Sequence, residues 1–427
     1  MKLFRRVLGL LLLLIFISPA SGEDAFYLKD GETIVFFGDS ITQNGGYVTY
    51  VETYLRTRFP SQRFQIINRG ISSETISGSS EPDHDPRRPD AQKRFARDVA
   101  AYKPDVVMAC FGMNDGNYFP FEEPRFEQYQ DGVRRLIERT RAEAGARLTL
   151  MTPPPFDPYR RQASDPMAKT YGYKFAAVDY DETLEKYSQW LMTLRKEGFV
   201  VADVHTAMSE HLRRRRERLV SFSLSPDAVH PDPTGHWMMA QTLLEAWNAP
   251  RSVAEVELDA AAPEKAVGQI SDVKIASGTI EFTWQAPLPM PRDPRWDRES
   301  IQLEKFDGRL NRHVLIVRNA PAKRYGVSAN GLMVAEVTRE QLEQGLQLTD
   351  YPELPSNQRA LEVLKLVQQR SAMLYDGWRK RIAGATGQPR DADSAESSET
   401  AAAMDERLRE LCQPIELHLT LGPLADD

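Results

Sequence analysis

The stretch ETIVFFGDSITQNGGY, Glu32 to Tyr47, sets an apolar run against a turn of Gly38, Asp39 and Ser40. A serine hydroxyl attacks poorly at neutral pH unless a base takes its proton. An imidazole suits that task because its pKa lies near the working pH, and it needs a partner that fixes its tautomer and stabilises its protonated form. Far downstream, SPDAVHP offers both, with Asp227 and His230 three residues apart and able to share one side of a loop. Such a trio performs acyl transfer through a tetrahedral intermediate, whose oxygen needs donors aimed at it. The backbone NH groups of Ser40 and Gly70 and the side-chain amide of Asn114 are the expected oxyanion donors. Glycine at 70 allows close backbone approach.

These residues are far apart in sequence, so a fold must gather them. From Thr33 onward short apolar runs alternate with longer stretches of helical period, the pattern of a parallel sheet with crossover helices. Five strands are expected, at Thr33 to Phe37, Phe64 to Asn68, Val106 to Phe111, Leu148 to Thr152 and Phe199 to Val204. Ligands of an open parallel sheet bind beyond the carboxyl ends of the strands. Gly38-Asp39-Ser40, Asn68-Arg69-Gly70 and Gly112-Met113-Asn114-Asp115 all follow such runs. The last helix is expected from about Pro233 to Trp247, with proline at its first turn. Asp39 is expected to brace its turn, leaving the acid role to Asp227.

FFGDSIT, INRGISSET, FGMNDG and SPDAVHP occur in that order between residues 33 and about 248. They resemble four sequence blocks of the SGNH, or GDSL, hydrolase family. The resemblance places Ser40 as nucleophile, Gly70 in the second block, Asn114 in the third, and Asp227 and His230 as acid and base. It implies a flavodoxin-like three-layer α/β/α sandwich around a five-stranded parallel sheet, metal-free ester hydrolysis and a shallow, open site. No cofactor or metal is expected. The expected function is a secreted serine esterase that removes acyl groups, acetyl above all, from carbohydrate. A lipase, lysophospholipase or thioesterase is the alternative within the family, although the loop from Ile71 to Arg88 is polar where a lipase would present an apolar lid. A non-catalytic glycan-binding or scaffold protein is the alternative outside it.

Composition frames the rest. With 427 residues, 41% hydrophobic and 27% charged, the chain has the length for two or three domains and a globular makeup. A formal charge of -7 argues against a nucleic-acid partner. Residues 1–22 read as a signal peptide: a basic start, an apolar run from Val7 to Ile17 too short to span a bilayer, then small residues. Its removal takes Lys2, Arg5 and Arg6 and leaves -10, which disfavours a stable membrane partner. The expected location is secreted or periplasmic, the expected partner a small-molecule or polysaccharide ester, and the oligomeric state stays open.

The expected divisions are a catalytic domain over 23–250, a linker over 251–268, a smaller β-rich module followed by a helix over 269–385, a disordered polar segment over 386–405 and a tail over 406–427. Asn330-Gly331 is a hairpin signal within the module. Asp203 and His205 form a rival acid and base pair. His236 reads as a packing or surface residue of the last helix, and His84 as part of a solvated loop that could wall the cleft. HLRRRRERL, 211–219, reads as a solvated helix whose arginines fan around it. TPPPFDPY follows the fourth strand as a rigid turn on the functional edge. Only two cysteines occur, and Cys110 reads as a buried free thiol.

Overall fold

The computed structural model describes residues 25–161, 165, 167, 174–383 and 392–425. The expected signal peptide lies outside the described residues. In chain order the first half contains β1 (Thr33–Gly38), α1 (Ser40–Asn44), α2 (Gly46–Arg58), β2 (Gln65–Gly70), α3 (Phe95–Asp98), β3 (Val106–Cys110), α4 (Glu123–Arg139), β4 (Arg147–Met151), α5 (Ala177–Thr193), β5 (Val200–Ala202), α6 (Val204–Arg216) and α7 (Pro233–Ala246). The strands form one parallel sheet in the order β2-β1-β3-β4-β5. Strand bounds differ from the expected ones by at most two residues.

Alternation along the strands builds the layers, because successive side chains point to opposite faces. Ile34, Phe36, Val106 and Met108 meet α2, α6 and α7 on one face. Val35, Phe37, Val107 and Ala109 meet α3, α4 and α5 on the other. This is the three-layer α/β/α sandwich that the resemblance implies.

The second half contains β6 (Ser252–Asp259), β7 (Ile270–Ala276), β8 (Thr279–Ala286), α8 (Arg298–Leu303), α9 (Phe306–Leu310), β9 (Arg312–Arg318), β10 (Arg324–Ala329), β11 (Leu332–Thr338), α10 (Arg339–Gln344), β12 (Leu346–Gln347), α11 (Pro355–Ala383), α12 (Ala392–Leu411) and β13 (Ile415–Pro423). Two sheets result, ordered β11-β10-β13-β8-β7 and β12-β9-β6. Asn330 and Gly331, at φ 49° and 80°, turn the β10–β11 hairpin where the sequence places it.

Three expectations change here. The segment 251–268 carries β6, which pairs in parallel with β9 and buries Val256 and Leu258, so it is part of a sheet. Of the segment 386–405 expected to be disordered, residues 392–405 are helical within α12, and 386–391 lie outside the described residues. Polar composition is offset by specific partners: Asp405 pairs with Arg56 of α2 and Arg370 of α11 at 2.6 and 2.8 Å. The tail over 406–427 holds β13, which inserts between β10 and β8 and buries Ile415, Leu417, Leu419 and Leu421.

The two halves share a core. Trp296 and Phe306 stand 4.6 and 4.3 Å, centroid to centroid, from Trp237 of α7. The arginine run on α6 does fan, but into ion pairs. Arg213 meets Glu217 in solvent, Arg214 reaches Glu304, Arg215 is buried against Asp297 and Glu299, and Arg216 holds Asp157 at 2.6 Å. Arg214 and Arg215 thus fasten α6 to the α8 region, and the helix is not simply solvated. Tyr375 of α11 donates from its hydroxyl to the Gly70 carbonyl at 2.8 Å, while Trp378 lies 4.5 Å from the Arg69 guanidinium. Cys110 and Cys412 are both buried and free.

Candidate active site

Gly38 ends β1 because a Cβ there would lie 2.0 Å from Thr42 Oγ1 and 2.7 Å from the Cys110 carbonyl. The chain turns at once. Asp39 caps α1 by accepting the Ile41 NH at 2.9 Å, which leaves Ser40 as the first helical residue, its NH without an intrahelical acceptor. On the facing loop, Asp227 Oδ1 accepts the backbone NH groups of Val229 and His230 at 3.0 and 2.7 Å. That turn aims the rest of the carboxylate at the imidazole. Asp227 Oδ2 lies 2.6 Å from His230 Nδ1, and His230 Nε2 lies 2.8 Å from Ser40 Oγ.

An ionised Asp227 requires the proton on Nδ1, and Nε2 is then free to accept from the serine hydroxyl. Partial burial pushes the Asp227 carboxyl up, but hydrogen bonds from the His230 ring and from two backbone NH groups outweigh it, so its pKa falls below the usual range. The side chains of His230 and Asp227 are 42% and 56% exposed, so this pair sits at the rim of an open site. The cleft in front of Ser40 measures about 550 Å³. Loop 71–88 supplies one wall through Ser72, Ser73, Glu81, Asp83, His84 and Arg88, and it is polar throughout that wall.

Asn114, beyond β3, is buried and lines the same cleft. Its Nδ2 lies 3.2 Å from the Glu74 carbonyl and 3.4 Å from Asp39 Oδ2, while its Oδ1 accepts from Arg88 Nη1 at 3.0 Å. Gly70 is placed differently from the expectation. It is the last residue of β2, its NH donates to Asn68 Oδ1 at 2.9 Å, and it does not line the cleft. Its glycine identity answers to packing, since a Cβ would lie 2.1 Å from the Gln43 nitrogen of α1. Ser73 occupies the place in the cleft instead. Its backbone is left-handed at φ 64°, and its NH makes no hydrogen bond among the described residues. The three residues between Gly70 and Glu74 do not reveal in sequence which of them lines the cleft; that depends on the turn, where Ser73 takes the positive φ.

Rival residues go elsewhere. Asp203 caps α6 through the Thr206 NH, and His205 is buried 3.4 Å from Asp181; neither lines the cleft. His236 is buried in α7, accepts the Tyr47 NH at 3.3 Å, and is held neutral by burial, its pKa pushed down to about 3. His84 lines the cleft with its Nδ1 2.6 Å from the Pro86 carbonyl. After β4, Asp157 is a structural hub that receives Arg216 and Ser223, so TPPPFDPY anchors the edge without lining the cleft. Asp39 does not touch His230. Burial lifts its carboxyl to about 7, against the bond from the Ile41 NH and with the charges of Asp115 and Glu74 adding to the rise. Asp115 accepts from the Ser77 NH and hydroxyl at 2.9 and 2.7 Å and so pins loop 71–88 to the end of β3. Sequence reasoning did not single out Ser73, Glu81 or Arg88.

Residues 36–238 match the family described as GDSL-like lipase/acylhydrolase. An acetylxylan esterase of Geobacillus stearothermophilus is 27% identical over 239 residues, which are 51% of this chain and 94% of that protein. A solved structure described as a gut microbial diltiazem-metabolizing enzyme superposes with a TM-score of 0.78 at 21% identity, covering 93% of this chain and 98% of the other. That likeness of fold extends well beyond the catalytic half. Over residues 36–238 the chain is therefore similar to the GDSL-like lipases/acylhydrolases, which supports an enzyme that hydrolyses ester bonds.

Proposed function

We propose that this enzyme is a secreted serine esterase that removes acetyl groups from carbohydrate. The observation that carries the mechanism is the line from Asp227 Oδ2 through His230 to Ser40 Oγ, with steps of 2.6 and 2.8 Å. Ser40 Oγ attacks the ester carbonyl and gives its proton to His230 Nε2, while Asp227 holds the imidazolium from the Nδ1 side. The carbonyl oxygen becomes an oxyanion received by the NH groups of Ser40 and Ser73 and by the Asn114 amide. His230 then protonates the departing alcohol, and water repeats the cycle on the acyl-enzyme. Support for carbohydrate as the alcohol comes from the acetylxylan esterase relative and from an open, polar cleft that suits a hydrated sugar better than a lipid chain.

Purified enzyme is expected to release p-nitrophenol from its acetate ester, and Ser40→Ala is expected to abolish release. Retained activity in that variant would overturn the serine mechanism. Acetate release from acetylated xylan is expected to exceed release of long-chain acids from lipid esters, and the reverse preference would overturn the carbohydrate assignment. Export is tested by finding the mature N-terminus near residue 23 in the periplasm or medium.

A further inference from the structure

Loop 71–88 holds an ion pair that the motifs around Ser40 do not include. Arg88 Nε and Nη2 each lie 2.6 Å from an oxygen of the Glu81 carboxylate, and the side chains are 7% and 1% exposed. A pair withdrawn this far from water gains little net stability, which leaves room for a role other than holding the fold. The free arm of the fork gives that role. Arg88 Nη1 donates to Asn114 Oδ1 at 3.0 Å, the Tyr118 hydroxyl lies 3.4 Å from the same oxygen, and the guanidinium lies 5.4 Å from the Tyr118 ring centre. Glu81, Arg88, Asn114 and Tyr118 all line the cleft with Ser40.

An asparagine amide can flip, exchanging donor for acceptor. Arginine has donors only, so an Arg88 fixed by Glu81 accepts one orientation and repels the other. The allowed orientation keeps Nδ2 on the side of the Asp39-Ser40 turn, 3.2 Å from the Glu74 carbonyl and 3.4 Å from Asp39 Oδ2. We infer that Arg88, braced by Glu81, is a positioning residue that holds the Asn114 amide with its donor toward the developing oxyanion. This rests on the reading of Ser40 as nucleophile and Asn114 as oxyanion donor.

The test is a mutant cycle on p-nitrophenyl acetate, with kcat and KM measured separately. Glu81→Gln combined with Arg88→Gln removes both charges and leaves no buried ion alone, so it serves where Arg88→Gln by itself does not fold. Loss of one oxyanion donor costs about 10²- to 10³-fold in kcat, the range expected for Asn114→Ala. A misplaced group costs up to about 10²-fold, so the double amide variant is expected to lose about 10- to 10²-fold in kcat with KM near the parent value. In the Asn114→Ala background the same two changes are expected to add no further loss, because their target is gone. Multiplicative losses, or an unchanged kcat in the double amide variant, would overturn the inference. A wild-type kcat in Asn114→Ala overturns it too, while leaving the hydrolase reading intact if Ser40→Ala is dead. An active Ser40→Ala overturns both.

Discussion

Asp39→Asn isolates one buried carboxyl beneath Ser40. The exchange keeps an oxygen to cap α1, and asparagine caps about as well as aspartate. It removes a carboxyl that is 1% exposed and whose pKa is raised by burial from 3.8 to about 7. At about 1.4 kcal/mol per tenfold change in proton affinity, that gap amounts to about 4 kcal/mol. Between about pH 4 and 7 the folded protein keeps a proton that the unfolded chain has released. Stability conferred by the neutral acid is therefore complete below pH 4 and is lost as pH rises through 7. Asparagine stays neutral throughout, at the cost of the 3.4 Å contact from Asn114 Nδ2, worth about 1 kcal/mol. The variant is thus expected to be about 1 kcal/mol less stable than the parent at pH 4 and about 3 kcal/mol more stable above pH 7. Urea unfolding of both proteins from pH 4 to 8 measures this. Asp232, raised to about 6, titrates in the same window and cancels in the difference, whereas Asp115, also raised to about 6, is coupled to Asp39 and cancels only in part. A difference that does not change with pH, or that favours aspartate above pH 7, would refute the reasoning.

Asp227→Asn is expected to lower kcat by about 10⁴-fold while barely moving the melting temperature, because the amide holds the imidazole in the wrong tautomer on a side chain more than half exposed. Steady-state kinetics beside thermal unfolding checks both halves. Gly70→Ala is expected to lose stability and activity together, since its Cβ would strike the α1 backbone that carries Ser40; circular dichroism melts and turnover should fall in step. Ser73→Gly is expected to keep activity and gain about 1 kcal/mol from relief of a left-handed backbone, read by urea midpoint. Ending the chain near Pro250 is expected to give insoluble protein, because Trp237 and Tyr50 lose Trp296 as their cover; expression and sedimentation would show it.

The five strands and the Ser40, His230, Asp227 line were legible because each depends on short-range pattern: apolar runs at strand spacing, and an Asx turn that fits into four residues. Gly70 misled because family order names a block without saying which peptide in it faces the substrate, and that depends on the φ of Ser73. The β6 strand was hidden by its partner, since β9 lies more than fifty residues further on and pairs in parallel. The polar helix α12 is held partly by the Asp405 pair with Arg56, 349 residues away, a contact that no local period announces. The last strand is a different case. Ile415, Leu417, Leu419 and Leu421 alternate as a half-buried strand should, and the signal was there to be read.

The position of β13 bears on when this enzyme becomes an enzyme. The last strand of the chain lies in the middle of its sheet, so β10 and β8 have no neighbour between them until residues 415–423 arrive. The same delay reaches the catalytic half, where the Gly70 carbonyl waits for a tyrosine 305 residues later. The sheet of the second half is therefore complete only once residues 415–423 are in place. On the export proposed above, a chain passing N-terminus first would reach the far side before β13 could fill its place between β10 and β8.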